Sequence, residues 1–89
     1  MLKISIAEAN SEMATLHLEG KLSGKWVECL ANACESELKH SARVGIDMRH
    51  VSFVDRNGIA LLRKMAECDI EILNPLPFIA EQIRNAASS

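Results

Sequence analysis

The chain has 89 residues, 48% of them hydrophobic and 25% charged, with a net charge of −2 at pH 7. That composition fits a single globular domain, residues 1–89, in which folding buries roughly 60–65% of the unfolded surface. It supplies no basic groove for nucleic acid, and the three aromatic residues Trp26, Phe53 and Phe78 are too few for a base-stacking platform.

At the N-terminus, Leu2, Ile4 and Ile6 alternate with Lys3 and Ser5, the period of a half-buried strand and not of a signal-peptide core. Leu16 and Leu18 alternate with Thr15, His17 and Glu19 in the same way. Asn10 and Ser11 are turn formers between the two runs, so an antiparallel hairpin is expected. From about Ser23 to His40, the residues Trp26, Val27, Leu30, Ala33, Cys34 and Leu38 recur at spacings that draw one apolar stripe along a helix. Glu28, Asn32, Glu35 and Lys39 fall on its polar side.

Val44 to Asp47 reads as a short buried strand, and a second helix is expected from Arg56 to about Glu67 with Ile59, Leu62 and Ala66 apolar, flanked by Leu61 and Met65. Ile70 to Leu73 is the last strand. Asn74, Pro75 and Leu76 break the chain before a final helix from Pro77 to about Ala86, where proline in the first turn loses no needed hydrogen bond. The tail from Ala86 to Ser89 is expected to fray. Two strand–helix–strand passages require parallel neighbours, which gives a small mixed four-stranded sheet packed by about three helices.

The densest local signal is the run Val51, Ser52, Phe53, Val54, Asp55, Arg56, Asn57, Gly58, Ile59, where a strand exit meets a helix start. Asp55 suits the N-cap, since its carboxylate accepts from backbone N–H groups that the first turn leaves unpaired and faces the positive end of the helix dipole. Gly58 lets another backbone or a ligand approach closely. Arg56 opposes the dipole by roughly 0.3–1 kcal/mol when exposed, which either neutralisation by the adjacent Asp55 with the long stem in solvent or a binding role would explain.

The order of elements, the run Leu18, Glu19, Gly20, Lys21, Leu22 and the run through Asp55 and Gly58 together resemble the STAS family, from about Ile4 to Ile83. That family includes anti-sigma-factor antagonists, stressosome proteins, sulfate-transporter domains and small accessory subunits of lipid transporters. The first run is similar to the family's glycine at a strand end before helix one, the second to its Asp-Ser-Ser/Thr-Gly. In switchable members a Ser or Thr just after the Asp is phosphorylated by a partner kinase. The matching position here is Arg56, followed by Asn57, neither of which carries a phosphoester, so the family's switch is expected to be absent.

Catalytic chemistry finds little support. The sequence has no nucleophile elbow and no phosphate-cradling glycine loop with a lysine. His17, His40 and His50, read as lying on a strand, a helix end and a loop, have no metal-ligand spacing. Cys29, Cys34 and Cys68 lack CxxC spacing and are expected as free, mostly packed thiols. Asp47 is read as a loop-ordering acceptor, and Ser23 and Ser52 as loop hydroxyls that are the remaining candidate phosphosites.

The sequence therefore implies a non-enzymatic, cytoplasmic protein–protein interaction module without cofactor, metal or direct membrane insertion. The resemblance implies as partner a serine-kinase-like anti-sigma factor or, alternatively, the ATPase or permease subunit of a lipid transporter. The expected contact residues are Val54, Asp55, Arg56, Asn57, Gly58 and Arg63.

Overall fold

A computed structural model describes residues 1–68 and 70–88. The elements run β1 (Leu2–Ala9), β2 (Met13–Leu22), α1 (Lys25–Leu38), β3 (Arg43–Val54), α2 (Arg56–Glu67), β4 (Ile70–Leu73) and α3 (Pro77–Ser88). They form one four-stranded sheet in the order β1-β2-β3-β4. β1 and β2 are antiparallel, whereas β2–β3 and β3–β4 are parallel. The mixed sheet read from the sequence is the one observed, and α2 and β4 have the expected limits.

The hairpin turns on Asn10. Its side-chain oxygen accepts from the N–H groups of Glu12 and Met13, both at 2.9 Å, a local bond that Asn makes readily in turns. The hairpin tip is then stitched to the start of β3. Ser41 Oγ donates to the Asn10 carbonyl at 2.6 Å, and the Ala42 and Arg43 N–H groups donate to Ser11 and Glu12 carbonyls.

The core lies between the helices and the sheet face carrying Leu16, Leu18, Val44, Ile46 and Met48, against which Leu30, Leu62 and Ile79 pack with no exposed surface. Removing one such leucine costs about 2–5 kcal/mol, the lost transfer energy plus a cavity. The stripe on α1 is sorted as expected, with Leu30 and Cys34 buried and Glu28, Asn32, Glu35 and Lys39 exposed. Leu38, at the C-terminal end, remains 43% exposed.

β3 differs most from the sequence reading. It continues through Val54 rather than ending at Asp47, so His50 and Ser52 lie on a strand and not in a loop. Against β2 it carries two extra residues: His17 to Glu19 faces Asp47 to His50, and Gly20 to Lys21 faces Val51 to Phe53. Each insertion shifts the pleat, so burial after Met48 falls on every third residue, Val51 and Val54, instead of every second. Asp47 is an ordering acceptor, but of this bulge: its Oδ1 accepts the Arg49 N–H at 3.0 Å. Gly20 likewise lies inside β2, with φ +110°. A Cβ there would stand 2.5 Å from the Met1 carbonyl oxygen.

α1 is shorter than expected at both ends, and Gly24, with φ 57° and no side-chain cap, occupies its N-cap. α3 extends to Ser88, past the expected end at Ala86. Ser89, the last residue of the expected frayed tail, lies outside the described residues. All three cysteines are free, but only Cys34 is buried, which corrects the expectation of mostly packed thiols. Burial, with a contribution from Glu37, pushes the Cys34 thiol up to about 11.

Candidate functional site

Because β2 and β3 are parallel, their carboxyl ends emerge side by side, the end of such a sheet where binding sites are commonly built. The Asp55 N–H donates to the Leu22 carbonyl at 3.1 Å, locking the two exits together. Asp55 then uses both carboxylate oxygens. Oδ1 accepts the Gly58 N–H at 2.7 Å, and Oδ2 accepts the Gly24 N–H at 3.0 Å. The first bond is the expected N-cap of α2. The second reaches 31 positions back along the sequence to the start of α1, and sequence reasoning missed it. These bonds, Gly24 first and Gly58 second, hold the carboxyl below the usual aspartate range.

Gly58 is buried, and the close approach it permits is internal. A Cβ there would stand 2.6 Å from Val54 Cγ1, 3.1 Å from the Leu22 carbonyl oxygen and 3.2 Å from Asp55 Oδ1. Val54 is 3% exposed. Of the six expected contact residues, Val54 and Gly58 therefore shape the junction from beneath. Asp55 and Arg63 are half-buried, and Arg56 and Asn57 are exposed.

Above them an open groove of about 610 Å³ runs between α2 and α3. Its apolar lining comes from Phe53, Val54, Ile59 and Ala60, its charged lining from Asp55, Arg56 and Arg63 on the α2 side. Gln82 and Asn85 of α3 line it as well. Phe53 is 47% exposed, a large apolar side chain that lines the same groove as Arg56 and Arg63. The sequence reading named neither Phe53 nor the α3 amides as site residues. Phe53 was visible as an aromatic one residue before the buried Val54, but the groove exists only because α3 packs on α2.

Solved structures similar to this chain include the anti-sigma factor antagonist SpoIIAA in its unphosphorylated form, with a TM-score of 0.73, 22% identity, 96% of this chain covered and 81% of that one. The chain has the fold of SpoIIAA. A second similar structure is the Bacillus cell fate determinant SpoIIAA in the phosphorylated form, with a TM-score of 0.70, 18% identity and coverage of 94% and 83%. No family profile and no curated protein matches the sequence. The STAS-like fold read from the order of elements is thus the fold shared with SpoIIAA.

A second polar cluster lies where β2 pairs with β3. His17 Nδ1 lies 3.5 Å from Asp47 Oδ2, and the rings of His17 and His50 meet edge to face at 5.2 Å. The Arg49 N–H, the Asn74 side chain and the charges of Arg49 pull the Asp47 carboxyl down, with a smaller share from His17. Among the described residues no group of three His, Cys, Asp or Glu side chains is placed to hold a metal ion. No described helix is long and apolar enough to cross a membrane. Ser52 Oγ donates to the Gly20 carbonyl at 3.3 Å on the strand surface, and Ser23 is half-buried in the turn before α1.

Proposed function

We propose that the chain is a non-enzymatic protein-binding module of the anti-sigma-factor-antagonist kind, which docks the β3–α2 junction on a serine-kinase-like anti-sigma factor. The observation that carries this reading is Phe53, a half-exposed aromatic side chain that shares the lining of the groove with Arg56. Aromatic and arginine side chains at a rigid, partly apolar surface are the usual anchors of protein interfaces.

The chemistry of the junction supports binding over catalysis. The groove's carboxylate, Asp55, is a poor general base because both its oxygens already accept backbone N–H groups and its affinity for a proton is lowered. Arg56 contributes a permanent planar cation suited to a carboxylate on the partner. A fixed cation at this position also means that binding is not switched by phosphorylation there. That feature is the one observation favouring the second reading, an accessory subunit held constitutively on a transporter ATPase or permease.

The test is affinity capture from the native lysate on immobilised wild type, Phe53→Ser and Arg56→Glu, with retained proteins identified. An anti-sigma-like kinase retained by wild type and lost from both variants is the expected result. Transporter subunits retained in that pattern select the accessory reading. A partner retained equally by all three overturns the junction as the docking surface.

A further inference from the structure

The two edges of the sheet are unequal. β4 offers four residues, Ile70–Leu73, too short a template to recruit another strand. β1 offers eight, Leu2–Ala9, and pairs with β2 on one side only. Proteins ordinarily guard such an edge with proline, central charges or a bulge. β1 has no proline; its charges, Lys3 and Glu8, lie towards its ends, and its one irregularity falls between Ile6 and Glu8. The middle, Ile4, Ser5 and Ile6, is uncharged, and Ile6 is 56% exposed although it belongs to the core face of the strand.

We infer that the free edge of β1 pairs antiparallel with β1 of a second copy of this chain, about a two-fold axis at Ser5, giving a continuous eight-stranded sheet. A two-fold pairing must be self-complementary, and this register is. Ser5 meets its own copy, while Ile4 of each chain faces Ile6 of the other on the core side, covering the exposed isoleucine. One step further out, Lys3 meets the irregular Ala7–Glu8 segment of the copy. The irregularity matters for the charges. Lys3 pairs with Glu19 and Glu8 with Thr15 across β2, so the shift at Ala7 returns Glu8 to the face of Lys3, although five positions separate them. Opposite charges therefore meet twice, once on each side of the axis. Opposite-charge and β-branched cross-strand pairs stabilise such a ladder. The interface is a single strand pair, at the small end of specific interfaces, so the dimer is a weak one that forms at high concentration.

The test is sedimentation equilibrium over a concentration series, with folding checked by circular dichroism. Wild type is expected to rise from 9.8 kDa towards twice that mass. Ser5→Lys changes an exposed side chain and puts like charges on the axis, raising the dimer dissociation constant about fivefold or more. An equimolar mixture of Ser5→Lys and Ser5→Glu restores the dimer. A wild type that stays monomeric throughout overturns the inference. So does a dimer indifferent to Ser5→Lys, or a mixture that remains monomeric.

Discussion

Replacing Asp55 by alanine removes the carboxylate that caps α2 through Gly58 and anchors the start of α1 through Gly24. Loss of an N-cap costs about 1 kcal/mol, and a second hydrogen bond to a backbone N–H contributes roughly 0.5–1.5 kcal/mol. The carboxylate is half-exposed, and solvent screening holds the total near the lower end, about 1.5–2 kcal/mol. For a domain of this size that corresponds to a fall in Tm of roughly 6–16 °C. The pH dependence is specific. The folded-state pKa of Asp55 lies below the ~3.9 of an unfolded aspartate. Its stabilisation is therefore complete above that unfolded value and disappears as pH falls through the folded one. Asp47 titrates in the same direction but is present in both proteins, so the difference between them isolates Asp55. Urea unfolding followed by the fluorescence of the single tryptophan, Trp26, two positions after Gly24, measures both effects. Equal stability at pH 7, or a gap that persists below the folded pKa, would refute the double-cap account.

Other substitutions probe the backbone and the surface. Gly58→Ala gains up to ~1 kcal/mol of helix propensity but forces a methyl group against Val54 and the Leu22 carbonyl; overpacking of ~1–3 kcal/mol prevails, and chemical denaturation should show a net loss of about 1 kcal/mol. Gly20→Ala, at φ +110° and against the Met1 carbonyl, should lose ~1–3 kcal/mol by the same measurement. Gly45→Ala should cost less than ~1 kcal/mol, because the close contacts of its Cβ are the movable ends of Met13 and Leu73, with Thr15 Oγ1 at an ordinary 3.8 Å. Arg56→Glu replaces a cation with an anion at the α2 N-terminus and should raise stability by ~0.3–1 kcal/mol, read as a small increase in Tm.

Much of the architecture was legible because local and global preferences agree. The apolar spacing of Ile59 and Leu62, started by Asp55, fixes the limits of α2, although Met65 and not the exposed Ala66 completes its buried face. The alternation through Leu16 and Leu18, with Asn10 at the turn, fixes the hairpin. The extent of β3 was not legible, because its two bulges replace a period of two by a period of three and expose Arg49, His50, Ser52 and Phe53. At the candidate site, the cap by Asp55 could be read from the residue type and its position. Its bond to Gly24 could not, since it depends on β2 and β3 emerging in parallel. The groove was equally hidden, as Gln82 and Asn85 reach it only through the packing of α3 on α2.

The central claim is that the β3–α2 junction binds the partner through Arg56 and Phe53, so the most direct measurement is a calorimetric titration of the captured partner with wild type and Arg56→Glu, each with its Tm recorded. The account predicts at least about tenfold weaker binding, or ~1.4 kcal/mol, for a variant whose Tm is unchanged or higher. Equal affinity for the two proteins would contradict it.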